Sequence, residues 1–216
     1  MPDLSFQVEN AEPLPFAATP TIVFKLRIEN EPADQDIHSV ALRCQVMIDV
    51  TRRLYGPKDQ ERLFELFGEP ERWGQTLRAM LWTHANVGVP GFTGSTVVDV
   101  PLPCTFDFNV AATKYFAGLE NGEIPLTFLF SGTVFYESGE GALQVAQISW
   151  NKEASYRLAL PVWQEMMDIY YPNTAWLCLR RDVFDRLYQH KMRHGLTTWE
   201  QLLEDMLVKV EESEKQ

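Results

Sequence analysis

TIVFKLRIEN (residues 21–30) and HSVALRCQVMIDV (residues 38–50) spell period-two hydrophobic alternation twice in succession. In the first, Ile22, Phe24, Leu26 and Ile28 alternate with Lys25, Arg27 and Glu29. In the second, Val40, Leu42, Cys44, Val46, Ile48 and Val50 oppose Arg43, Gln45 and Asp49. Side chains change faces at each residue of a strand, so both stretches read as strands with one buried and one wetted face. EPADQDI between them is acidic and turn-rich, which suits a hairpin or a longer antiparallel connection.

Strand grammar continues on both sides of this pair. Leu4, Phe6 and Val8 predict an opening edge strand. RAMLWTHANVGV, STVVDVPLPCTFDFNV, ALQVAQISW and SYRLAL predict further strands. Pro101 and Pro103 cannot donate to a ladder, which puts their strand at an edge or on a bulge. VAATKYFAGL reads as a brief helix or as a strand end before the Asn121–Gly122 turn. PLTFLFSGTVFYE is apolar on both parities, the mark of a central strand covered on two faces, and Gly132 within it predicts a bulge or a close backbone approach.

Two stretches change the rhythm. Leu63, Phe64, Leu66 and Phe67 recur at helical spacing, predicting an inserted helix near 58–67 that ends at Gly68 with Pro70 beyond. From Pro161 the period becomes 3.6, with Val162, Trp163, Met166, Met167 and Tyr170 on one face. Asp182 suits an N-cap, Gly195 ends the next helix, and Thr197 with Glu200 predicts a capping box before a stripe of Trp199, Leu202, Leu203, Met206, Leu207 and Val210. Strands followed by helices define an α+β chain, mainly β: an antiparallel β-sandwich-like core over 1–160 and a helical appendage over 161–216 packed on it. The doubly apolar strand calls for cover that those helices can supply, so the seam between sheet and helices is where a site is expected.

Composition narrows function. The net charge of −11 opposes nucleic-acid binding, which needs a positive footprint, and favours solubility over adhesion to anionic membranes. MPDLSFQVEN has neither the basic nor the apolar region of a secretory signal, and no apolar run approaches the ~20 residues of a membrane span. Cys44, Cys104 and Cys178 lie far apart with no Cys-x-x-Cys pair, reading as buried thiols of a reducing cytoplasm. A cytoplasmic location is expected.

Candidate chemistry is sparse. His190 and His194 stand four apart on a predicted helix, the spacing of a two-histidine metal site, but no third ligand is identifiable and the surrounding stretch is basic. Asp49, Asp99 and Asp107 lie in or beside strands, and Asp107 has the parity of an exposed residue. GVPGFTGS lacks the lysine of a P-loop, Ser131 lacks the glycine of a nucleophile elbow, and His84 has no identifiable nucleophile. No catalytic residue, cofactor or metal is therefore assigned. The aromatic content of 12%, with six Trp, favours an interaction face, for which Trp163, Tyr170, Tyr171 and Trp176 are the candidates.

Two resemblances add to this reading. AWLCLRRDVFDRLYQHKMRHGLTTWEQLLEDML (175–207) resembles in outline the ribbon-helix-helix module of DNA-binding dimers, with Arg180 and Arg181 ending the strand; the acidic charge tells against it. LRCQVMIDVTRRLYG (42–56), LFGEPERWG (66–74), PLPCTFDFNVAATKYF (101–116), GEIPLTFLFSGTVFY (122–136), YYPNTAWLCLRRDVFDRLYQHK (170–191) and LTTWEQLL (196–203) together resemble an uncharacterised bacterial family of no assigned activity. That resemblance spans nearly the whole chain. It implies a place beside nickel-iron hydrogenase genes, and hence an accessory or maturation role, and it carries over no catalytic or metal-binding residue. The resulting expectation is a non-enzymatic, cytoplasmic protein-binding or assembly accessory with a protein partner, a homo-oligomer among the options. A ligand- or metal-binding enzyme with a cleft between sheet and late helices is the alternative, and a DNA-binding dimer the third.

Overall fold

A computed structural model describes residues 1–105, 110–137, 141–174, 177 and 179–214. The chain divides into two compact units, Met1–Thr174 and Ala175–Gln216.

The first unit is built from two antiparallel sheets. Strands β1 (Asp3–Pro13), β2 (Thr21–Glu31) and β6 (Ser95–Pro103) form one, in the order β1-β2-β6. The second contains β3 (Asp36–Ile48), β4 (Met80–Val89), β5 (Phe92–Thr93), β7 (Glu123–Glu137), β8 (Leu143–Gln147) and β9 (Glu153–Ala159). Its path is β4-β3-β7-β8; β9 pairs with the first half of β7 and β5 with the start of β3. The two stretches of clear alternation, β2 and β3, therefore lie in different sheets. Each turns its apolar parity inward: Ile22, Phe24, Leu26 and Ile28 on one side and Leu42, Cys44, Val46 and Ile48 on the other are buried.

Aromatic rings join the sheets. Phe24 of β2 meets Phe128 of β7 at 5.1 Å, Tyr156 of β9 at 5.8 Å and Trp82 of β4 at 6.2 Å, each edge to face. Phe6 of β1 stacks on Phe130 of β7 with centroids 4.2 Å apart. These are the geometries in which ring quadrupoles attract while apolar area leaves water. The result is a sandwich-like fold, mainly antiparallel β.

The prolines and Gly132 obey the backbone rules that made them legible. Pro101 and Pro103 lie in β6, an edge strand that pairs only with β2 among the described residues. Gly132 has φ of +145°, and a Cβ there would stand 2.1 Å from the Ala41 carbonyl oxygen on β3. β7 is central, but its two faces differ. Ile124, Leu126, Phe128, Phe130 and Val134 are buried, whereas Leu129 is 36% exposed and Ser131 is exposed. An apolar residue on a wetted face is ordinary, because polar groups cannot cover a whole protein surface.

Helices close the unit. The insertion near 58–67 is two short helices, α1 (Pro57–Arg62) and α2 (Phe64–Phe67), hinged at the buried Leu63 and stopped by Gly68 at φ +71°. Trp73 opens α3 (Trp73–Thr76) and is buried. VAATKYFAGL resolves as a helix, α4 (Val110–Gly118), burying Tyr115 and Phe116; the strand expected through Phe108 ends at Pro103, and 106–109 lie outside the described residues. Helix α5 (Leu160–Tyr170) starts with Pro161 in its first turn and buries Leu160, Trp163 and Met166. Phe116 links these helices to the sheet, edge to face with Trp82 at 5.1 Å and with Trp163 at 5.6 Å.

Gly132→Ala is expected to destabilise the protein by about 3 kcal/mol or more, because it joins a disfavoured φ to a backbone clash. The shift of the urea unfolding midpoint measures it.

Candidate functional site

The second unit is a helical hairpin whose turn is well specified. α6 (Arg181–Arg193) begins after Arg180, and Asp182 stands inside its first turn, 3.0 Å from the Arg180 guanidinium, where its carboxylate also suits the helix dipole. At the other end Gly195 takes φ +65°, its N–H reaches the Met192 carbonyl at 3.3 Å, and the Leu196 N–H reaches Lys191 at 3.1 Å. That pair of bonds is a Schellman stop. α7 (Trp199–Glu214) opens on a capping box one residue later than Thr197–Glu200. Thr198 Oγ1 accepts the Gln201 N–H at 3.2 Å, and Gln201 Oε1 accepts the Thr197 and Thr198 N–H groups at 3.1 and 3.4 Å. Two adjacent threonines made the register ambiguous; the glutamine side chain, long enough to bridge both, resolves it.

Trp199 holds the hairpin together. Its ring lies 5.1 Å from Phe184 and 6.3 Å from Tyr188, and the Lys191 ammonium sits 5.9 Å from its centroid. Phe184, Tyr188 and Lys191 are spaced by four and three residues, one face of α6. The neighbouring face of α6 borders an open cleft of about 480 Å³, lined by Val183, Arg186, Leu187, Gln189, His190, Arg193 and, from α7, Met206. Burial in the unit is slight. Leu202 is its one buried side chain among the described residues, while Leu203, Met206, Leu207 and Val210 are 39%, 42%, 62% and 53% exposed.

The sequence-derived candidates fall in different places. His190 and His194 are exposed, with ring centroids 4.2 Å apart, and among the described residues no group of three His, Cys, Asp or Glu side chains could hold a metal ion. Trp163 is buried against Phe116. The Tyr170 hydroxyl accepts the Ala17 N–H and donates to the Leu14 carbonyl, both at 2.8 Å, tying α5 to the β1–β2 connection. Tyr171 is half-buried, and Trp176, Cys178 and Asp107 lie outside the described residues. His84 is exposed on β4, Asp99 pairs with Lys25 at 2.9 Å, and Asp49 accepts the Thr127 hydroxyl at 2.6 Å.

Sequence reading missed a buried polar cluster in the first unit. Arg53 and Asp59 form an ion pair at 3.6 Å with both side chains under a tenth exposed. Arg53 also donates to the carbonyls of Asn121 and of Glu123, the latter at 2.6 Å. Asp59 accepts the Glu120 N–H at 2.8 Å and the Gly56 N–H at 3.3 Å. Tyr55 donates to the Val50 carbonyl at 2.6 Å and meets the Tyr115 hydroxyl at 3.0 Å. Every contact is internal, so the cluster staples α1 to the α4–β7 connection. Its legible half is Gly56-Pro57-x-Asp59, a glycine cap, proline in the first turn and an acid that returns to the cap. The long-range half needed the fold.

The chain matches the family of unknown function DUF6084 over residues 1–215 and belongs to that family. No curated protein matches it. Among solved structures it is similar to a protein described as late embryogenesis abundant, at 13% identity and TM-score 0.35, covering 74% of this chain and 72% of that one. It is also similar to the CARDB domain of a Pyrococcus furiosus protein (10%, TM-score 0.28, covering 74% and 94%) and to IrmA from Escherichia coli (12%, TM-score 0.27, covering 83% and 98%). At these values no functional argument passes from them to this chain. Among the described residues no helix is long and apolar enough to cross a membrane.

Two outcomes are expected. Asp59→Ala strands a buried guanidinium and should cost about 3–5 kcal/mol in urea unfolding. Burial pushes the Cys44 and Cys104 thiols from 9.0 up to about 12 and raises Tyr55 and Tyr115 as well. The fold thus favours the neutral, protonated forms. Their contribution is intact below the unfolded-state value and is lost as pH rises from about 9 towards 12. The unfolding midpoint should fall across that window, and iodoacetamide at about pH 8 should label neither thiol until the protein unfolds.

Proposed function

We propose that this protein acts by binding protein, as a non-enzymatic accessory in the assembly of another protein in the cytoplasm. The observation that carries the reading is the helical unit: it buries Leu202 and leaves a periodic apolar stripe, Leu203, Met206, Leu207 and Val210, on its surface. Elements near ~40 residues seldom sustain a core alone, and an amphipathic helix gains most of its stability by covering its apolar face. A stripe at three- and four-residue intervals is also the form in which a helix offers itself to a groove or another helix. The aromatic-rich sandwich of Met1–Thr174 supplies a rigid carrier. The resemblance to a family encoded beside nickel-iron hydrogenase genes supports a hydrogenase subunit as the client.

The test is co-purification from a cell that makes a nickel-iron hydrogenase. Tagged full-length chain should retain a hydrogenase subunit in stoichiometric amount, and Leu203→Glu with Leu207→Glu should lose it while the melting transition of the sandwich is unchanged. Recovery of no hydrogenase subunit by the wild-type chain overturns the accessory reading. Equal recovery by the double variant overturns the role of the stripe.

A further inference from the structure

Charge is divided between the two helices of the second unit. α6 and the residue before it carry Arg180, Arg181, Arg186, Lys191 and Arg193 against Asp182 and Asp185. α7 carries Glu200, Glu204, Asp205, Glu211 and Glu212 against Lys209. Opposite charges on adjacent helices of a hairpin could neutralise one another internally, and here they do not. Among the described residues the ion pair of this unit is Arg180–Asp182, within a single turn of α6.

The spacing of the remaining charges is matched. Arg186 and Arg193 lie seven residues apart on the cleft face of α6, with His190 between them. Glu204 and Glu211 lie seven residues apart on α7, with Leu207 between them at three and four residues. Seven residues of α-helix span about 10.5 Å and return to nearly the same face, so the acidic pair and the basic pair are equally long. Leu207 is 62% exposed, and the apolar side chains lining the cleft are Val183, Leu187 and Met206. The unit carries both an apolar stripe beside acidic residues and a cleft lined by apolar and basic side chains together.

We infer that the face is covered by a second copy of this chain. α7 of one protomer lies in the α6 cleft of its partner, and the two-fold axis repeats the contact in reverse. Such an isologous interface needs one surface complementary to itself, and it makes each favourable contact twice. Charge complementarity selects this occupant and fixes its register, because sliding α7 by one turn sets Glu204 and Glu211 out of step with Arg186 and Arg193. The inference rests on the reading of this stripe as an interaction surface and names what covers it; the client is then taken up by the dimer outside the stripe, and Leu203→Glu with Leu207→Glu loses it by separating the two copies.

Light scattering on the full-length chain at micromolar concentration should give twice the 24.9 kDa of one copy. Arg186→Glu with Arg193→Glu should be monomeric, as should Glu204→Arg with Glu211→Arg, both with wild-type circular dichroism since all four positions are exposed. Mixing the two variants should restore a two-copy species, because each contact of the mixed pair again joins opposite charges. A monomeric wild type, or a mixture that stays monomeric, overturns the inference. A monomeric chain that still retains the hydrogenase subunit would overturn only the second copy. A dimer that retains no client would overturn only the accessory reading.

Discussion

The sandwich depends on Phe24. From the middle of β2 it projects across the interface and touches rings from three strands of the facing sheet, those of Trp82, Phe128 and Tyr156. The apolar face of the three-stranded sheet must be buried against another layer, and rings that interlock edge to face hold it against its larger partner. From Trp82 the contacts continue through Phe116 to Trp163, so the same aromatic network that joins the sheets also seats α4 and α5. This accounts for much of the aromatic content. Rings that composition offers as an interaction surface are consumed by the core, Trp163 among them.

The second unit is governed by the opposite condition. It has exact local instructions, a capping box and a Schellman stop, and an aromatic clasp around Trp199, but little interior. Local bonds define where α6 ends and α7 begins without supplying the area that stabilises a fold. The apolar positions left over are periodic rather than scattered, and the charges beside them are sorted by helix rather than mixed. A surface shaped by solubility alone would interleave signs.

Legibility in the sequence followed the range of the interaction concerned. Alternation placed β2 and β3, proline placed β6 at an edge, and glycine placed the tight approach at Gly132, because each is a consequence of one residue's own backbone or parity. The capping box slipped by one residue where Thr197 and Thr198 offered equivalent hydroxyls. The doubly apolar run of β7 suggested two covered faces, yet Leu129 meets water, since residue type reports the tolerance of a strand for burial and not the presence of a neighbour. For the candidate site, helical period marked the Trp199–Val210 stripe and the His190–His194 spacing; exposure of the stripe, and the cleft beside His190, were beyond it.

The amino-acid sequence by itself determined the antiparallel β-rich class, the turn to helices after Pro161, the strand and helix faces and the acidic character of the chain. Tertiary structure alone decided that β2 and β3 part into different sheets, that Arg53 and Asp59 find each other and the α4–β7 connection, and which aromatics are buried. The reason is physical. Periodicity and capping act over a few residues and are written in neighbours, whereas burial is a property of surfaces brought together from distant parts of the chain. Phe24 and Leu207 occupy similar positions in their local patterns, and only the assembled molecule makes one a core residue and leaves the other exposed.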